Sequence, residues 1–422
     1  MPLLDRLRTS SFLKDTAILT VGTVLAQVIN LMTVPVLSRI YGPVAFGQVA
    51  VFTAVATITA TLVTLRYELA IMLPPEEGPS NSVAALSIAL SVLLGIPLAL
   101  LAWWLPDSIR SAIGLSAIGD WLPVAVATGV ASALGIVGAN WLNRRRKYIV
   151  LSLQRVAQVL IAAAVAIGCG LATDLDGLIL AQVAGISFIA LVCLWQMRTI
   201  FQAPGGLAVA AAAREHRASP AFLLPNALLD VVSLQMPILL ITAWFGSDDA
   251  GQFSMAWRIL WLPIAMVGAA VGQVFYQRFA QMQADPAGAR RLLLNTWKML
   301  LLFGGAPTLL VLALGEPLFA FALGDSWREA GAIASIIAPM LLALLVVGPT
   351  SAAMIALGLQ RYLLWFGLAA FCYRPLCLWI GYQMGDLHTG LLIYTIVEIL
   401  QIGCYQLVLL RALRARPVTP PE

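Results

Sequence analysis

The chain has 422 residues, 61% hydrophobic and only 11% charged, with a formal net charge of +5. A typical soluble protein is about 25% charged, so this composition excludes an ordinary soluble domain and fits a chain that crosses a bilayer many times. The basic residues are spread by topology rather than gathered into a patch, which excludes a nucleic-acid partner.

A helix needs about 20 apolar residues to span a bilayer. Twelve segments qualify, at roughly 16–40, 45–73, 82–105, 121–142, 149–172, 175–197, 220–246, 250–278, 292–315, 332–357, 362–384 and 387–410. The N-terminal "MPLLDRLRTSSFLKD" has no cleavable signal pattern, so the first span is expected to be retained. With both termini cytoplasmic, the inner segments hold Arg6, Arg8, Lys14, the run Arg144 to Lys147, Arg198, Arg214, Arg217, Arg278, Arg290, Arg291, Arg361, Arg411, Arg414 and Arg416. The outer loops hold Arg39, Arg110 and Arg328, as the positive-inside rule requires. These features predict an all-α polytopic protein of the cytoplasmic membrane.

In the first span, Thr16, Thr20, Thr23, Gln27 and Asn30 share one helix face. In the second, Thr53, Thr57, Thr61, Thr64 and Glu68 do the same. Such stripes are costly against lipid, so they are expected to face the protein or a wet cavity; hydrogen bonds between helices are the alternative use.

Charges inside spans are rarer. Arg66 and Glu68 interrupt the second span; on a continuous helix they lie about 200° apart, which predicts that they face different neighbours. Arg66 also lies about 12 Å from the cytoplasmic end and can snorkel there. Snorkelling is equally open to Arg39 and Arg258, near outer ends, and to Arg155, beside Gln154 and Gln158. Asp230 has no local partner and is the leading candidate for an ion- or proton-linked carboxylate. Arg374 and Glu398 lie about 18–20 Å from the cytoplasmic ends of consecutive antiparallel spans. That matched depth predicts an ion pair, whose role is either structural or coupled to ion movement.

Cys169, Cys193, Cys372, Cys377 and Cys404 lie in apolar runs without a CxxC pair and read as small buried hydrophobes. His216 and His388 are far apart, so no metal site is expected. There is no GxSxG, Walker A or HExxH motif. Neither catalysis nor a cofactor is expected.

The two halves echo each other. "YGPVAFGQV" from Tyr41 matches "FGSDDAGQF" from Phe245. Pro97 and Gly114 match Pro307 and Gly324, Tyr148 matches Tyr362, and Gly177 matches Gly390. The matches run in order, as a duplication would. Six spans per half make parallel repeats, predicted to surround a central cleft. The expected organisation is a cytoplasmic segment 1–13, an N-terminal bundle 14–197, a linker 198–219, a C-terminal bundle 220–411 and a cytoplasmic tail 412–422.

"PVLSRIYGPVAFGQVAVF", "LRYELAIMLP" and "WLNRRRKY" together resemble the polysaccharide and O-antigen flippases, the Wzx-type family. That family belongs to the multidrug/oligosaccharidyl-lipid/polysaccharide exporter superfamily. The resemblance is sharpest over residues 14–160. It implies alternating-access transport of a polyprenyl-diphosphate-linked oligosaccharide from the inner to the outer leaflet of the inner membrane, driven by H+ or Na+. Other polysaccharide-assembly proteins are then possible partners. On this reading Arg66, Arg39, Arg155 and Arg258 are candidates for the diphosphate and Gln27 and Asn30 for the sugar. Asp230, Arg374, Glu398 and Glu68 are candidates for ion coupling or intramembrane pairing. A drug/cation antiporter of the same superfamily and a non-transporting assembly subunit are the alternatives.

Overall fold

The computed structural model describes residues 2–172, 176–202, 206–282 and 285–415, with 2–17 given by backbone alone. Twelve helices are long and apolar enough to cross a membrane. They are α1 (Pro2–Ile40), α2 (Pro43–Val63), α3 (Glu77–Trp104), α4 (Leu122–Arg144), α5 (Tyr148–Ala172) and α6 (Gly177–Gln196), followed by α7 (Leu224–Trp244), α8 (Ser247–Gln281), α9 (Pro286–Leu323), α10 (Arg328–Thr350), α11 (Gln360–Met384) and α12 (Leu387–Ala415). Large apolar side chains stay on the outer surface, among them Trp104, Leu302 and Phe321. In water such a surface would drive aggregation; in a bilayer lipid covers it.

Two compact units divide the chain, Met1–Gln235 and Met236–Glu422, so the division falls inside α7. The 198–219 segment forms a 3-10 turn (Arg198–Gln202) and a short helix (Gly206–Glu215), which packs on α3 in the first unit.

The internal repeat is visible in packing. In the first unit α4 is the hub, touching α2, α3 and α6, while α5 pairs with α6. In the second unit α10 touches α8, α9 and α12, while α11 pairs with α12. These are the same four pairings displaced by six helices. The matched glycines have structural reasons. Gly114 (φ 76°) and Gly324 (φ 113°) both take left-handed backbone, where a Cβ is strained, and both precede 3-10 turns.

The second span departs from expectation. A helix continuing to Leu73 is predicted from hydropathy, but α2 ends at Val63. Leu65 (φ 49°) and Arg66 (φ 62°) are both left-handed, and a 3-10 turn, Tyr67–Met72, follows. Neither residue is a glycine, and such conformations cost about 1–3 kcal/mol each. Surrounding contacts have to hold them in place.

Candidate functional site

The segment that follows them is held from α4. Arg144 donates from Nη1 to the carbonyls of Ile71 and Met72, at 3.2 and 3.3 Å, and from Nη2 to those of Pro75 and Glu76, at 3.2 and 3.0 Å. One guanidinium thus serves four carbonyls left outside regular helix. Arg145 pairs with Glu77 at 2.9 Å and lies 3.9 Å over the Trp141 ring, and the Trp141 indole donates to Asn81 at 3.0 Å. The Tyr67 hydroxyl donates to the Ala213 carbonyl at 3.1 Å, tying the turn to the Gly206–Glu215 helix. Beneath it lies a core of Ile71, Val83, Val137, Trp141 and Leu142. The basic run 144–147, read from sequence as a topology signal, is therefore also a staple for this turn.

The turn brings Arg66 and Glu68 together, correcting the expectation that they face apart. The 200° separation holds only on a continuous helix; the left-handed residues reverse the chain. Arg66 Nη1 lies 3.2 Å from Glu68 Oε1. Glu68 is buried, at 1% exposure, whereas the Arg66 side chain keeps 32% of its surface. The pair is under-satisfied: among the described residues, buried Arg66 Nε and Glu68 Oε2 have no hydrogen-bond partner. Part of an arginine fork is thus open beside an unpaired buried carboxylate oxygen, an arrangement able to exchange partners.

The threonine stripe of α2 needs neither cavity nor neighbouring helix. Thr53, Thr57, Thr61 and Thr64 donate to Val49, Thr53, Thr57 and Thr61 carbonyls of their own helix, at 2.7 to 3.4 Å. Back-bonding removes the polar cost from within, so Thr57 is exposed without penalty. In α1, Thr20 is exposed, Thr16 lies outside the described side chains, and Gln27 and Asn30 are half-buried. Arg155 on α5 donates to the Thr23 hydroxyl at 2.5 Å, joining two of the predicted polar positions. Arg39 is exposed in the last turn of α1, and Arg258 is exposed on α8.

In the second unit Arg374 and Glu398 lie together. Arg374 Nη2 donates to Oε1 at 2.7 Å and Nε to Oε2 at 3.1 Å, a two-bond fork between α11 and α12. The Tyr373 hydroxyl adds a bond to Oε2 at 2.5 Å. Arg374 is 9% and Glu398 4% exposed, so the group is desolvated, neutral and well bonded. Sequence reasoning misses Tyr373; its position beside Arg374 is the available signal. Asp230 on α7 is exposed, Asn226 is exposed and Ser233 buried. The helix carries Pro237 in its interior.

One smaller expectation changes. Cys193 and Cys377 are buried, but Cys372 and Cys404 are exposed on membrane-length helices, where lipid is as good a solvent for a thiol as a core. Separately, His388 Nε2 lies 2.5 Å from Glu329 Oε1.

Residues 36–332 match the family described as polysaccharide biosynthesis protein. The chain is 28% identical over 323 residues to the succinoglycan biosynthesis transport protein ExoT of Rhizobium meliloti (strain 1021), covering 74% of this chain and 62% of that one. It is 21% identical over 179 residues to the teichuronic acid biosynthesis protein TuaB of Bacillus subtilis (strain 168), covering 42% and 37%. The chain therefore spans less than two thirds of the length of either relative. Its fold is similar to that of the lipid II flippase MurJ in an inward closed conformation, with TM-score 0.70 at 13% identity over 94% of this chain and 88% of that one. It is also similar to a mutant of the Vibrio cholerae MATE transporter VcmN, with TM-score 0.58 at 14% identity over 96% and 97%. The family match extends over well more than half the sequence: this multi-pass membrane chain belongs to the polysaccharide biosynthesis protein family.

Proposed function

We propose that the protein is a secondary transporter that carries a polyprenyl-diphosphate-linked oligosaccharide across the cytoplasmic membrane by alternating access. Both termini are cytoplasmic, and an H+ or Na+ gradient drives the cycle. The family match carries this reading. The Arg66 turn supplies its chemistry. A diphosphate entering low dielectric needs a cation with matching oxygen geometry, and an arginine fork provides one. Arg66 receives it near the cytoplasmic side, displacing Glu68; Arg39, Arg155 and Arg258 are further stations, and Gln27 and Asn30 meet sugar hydroxyls. Asp230, exposed on a proline-containing helix, binds the coupling ion. The satisfied Arg374–Glu398 pair holds α11 to α12.

Export provides the test. A strain deleted for its own lipid-linked glycan exporter should recover surface glycan when this protein is expressed, and Asp230→Asn should lose gradient dependence while still inserting. Failure to restore export across a range of glycan types, with the protein present in the membrane, would overturn the reading. Drug resistance without glycan export would instead favour antiport, the reading encouraged by the fold shared with a MATE transporter.

A further inference from the structure

The repeat exposes an asymmetry at the Pro43 end of α2. Gln48 and Gln252 are equivalent in the two halves. In the second unit Gln252 is fully engaged: its Nε2 donates to the Ser326 carbonyl at 2.8 Å, and its Oε1 accepts from the Ala330 N–H at 2.9 Å. It thereby ties α8 to the turn before α10. The residue equivalent to Tyr41 is Phe245, which packs edge-on against Tyr382, itself stacked on Trp244. That corner is closed by its own side chains.

In the first unit the same corner is open. Gln48 makes no hydrogen bond among the described residues and lines a cavity of about 200 Å³ together with Tyr41, Gly42, Gly170, Asp176 and Gly177. The walls are fixed. The Tyr41 hydroxyl donates to the Ala166 carbonyl at 2.7 Å, and the Trp121 indole donates to Asp176 Oδ2 at 2.6 Å. Glycine is required at 177, because a Cβ there would lie 2.1 Å from the Tyr41 hydroxyl oxygen. The cavity has room for about six waters at ~30 Å³ each. A single dehydrated cation would leave most of it empty.

We propose that this cavity is a saccharide subsite that takes one sugar ring. The donor and acceptor sets match a ring's adjacent hydroxyls. Gln48 offers a free carbonyl oxygen and a free NH₂, Asp176 offers its second carboxylate oxygen, and Tyr41 can still accept at an oxygen whose proton is already committed. Trp121 holds the Asp176 carboxylate in place. The site lies at the opposite end of α2 from Arg66, about 30 Å away by helix rise. Its use rests on the proposed transport of a glycan: the diphosphate is gripped at one end of α2 and a sugar is met at the other. Binding of sugar to the purified protein does not depend on that reading.

The test is saturation-transfer NMR on purified, detergent-solubilised full-length protein with millimolar free glucose, galactose, mannose, rhamnose and N-acetylglucosamine in turn. At least one sugar should show transfer, weakened about tenfold or more in apparent affinity by Gln48→Ala and by Asp176→Asn. Gln48→Ala removes no internal hydrogen bond and should keep the wild-type melting temperature, so its loss of signal reports the site and not the fold. Asn226→Ala, on α7, should leave sugar binding unchanged. No transfer from any of the sugars, or transfer undiminished in Gln48→Ala, overturns the subsite, as does a response to Na+ alone. Sugar binding without glycan export would preserve this site and reject the transport reading; export with no sugar binding would do the reverse.

Discussion

In the second unit Arg374 meets Glu398 through two hydrogen bonds between neighbouring helices, with Tyr373 adding a third. In the first unit Arg66 meets Glu68 through one bond inside a turn. The first group is dry and satisfied on ordinary helical backbone. The second sits on left-handed backbone, keeps a third of its arginine surface open and leaves two buried polar atoms unpaired. The same two residue types thus serve opposite ends. On the proposed reading, the pair with nothing left to bond is structural, whereas the pair with spare valence on a strained turn is the one to bind ligand. Alternating between α-helix and left-handed turn is what decides which of these an Arg and a Glu become.

The comparison can be broken most sharply at Arg374. Removing one partner of a buried pair strands the other charge, at a cost of about 3–5 kcal/mol. Arg374→Ala and Glu398→Ala should therefore each lower the melting temperature strongly in detergent, while the double variant should lose less than the sum. Additive losses would show that the two charges act independently. Arg66→Ala also leaves a buried carboxylate without its arginine, so it should destabilise too, but by less than Arg374→Ala, because a third of the Arg66 side chain is exposed and a single bond is lost.

A middle-sized effect is expected at Arg144, which belongs to neither pair but supports the weaker one. Losing its carbonyl bonds should cost about 1.5–3 kcal/mol locally. Arg144→Ala should raise hydrogen exchange or protease cleavage across residues 65–77, with Arg144→Lys intermediate. Unchanged protection there would mean that the turn is held by its apolar core alone.

The span count and the repeat were legible because they depend on long apolar runs and on spacing. The Arg374–Glu398 meeting was legible for a related reason: matched depth on adjacent helices is arithmetic that a regular rise preserves. The break after Val63 was not. "TLRYE" has neither glycine nor proline to mark the break, and the bonds that hold the segment just after it are tertiary, four of them from Arg144 to the carbonyls of Ile71, Met72, Pro75 and Glu76. The bonding of the threonine stripe was illegible for a similar reason. Periodicity shows which face a hydroxyl occupies but not that it bonds backwards to its own helix.

The smallest expected effect lies outside both pairs, between α11 and α12. Asp386 accepts from the Thr389 hydroxyl, the Thr389 N–H and the His388 N–H, and these bonds hold its carboxyl below the usual carboxylate range. A depressed folded value stabilises the protein above the unfolded value of about 3.9 and is lost as pH falls through the folded value. Thr389→Ala, which removes the hydroxyl bond, should slightly reduce the melting temperature near neutral pH and leave it unchanged at pH values low enough to protonate Asp386 in both proteins. An equal loss at both pH values would assign the effect to packing. The surface position keeps it minor.

The central claim is that Arg66, unlike Arg374, is kept for a ligand, and glycan export measured across an Arg66 series tests it most directly. With expression and membrane insertion matched, Arg66→Lys should retain partial export because the charge remains without the planar fork, Arg66→Ala should lose most of it, and Arg66→Glu should be the most defective because it repels the diphosphate. Near-wild-type export by well-expressed Arg66→Ala would contradict the account.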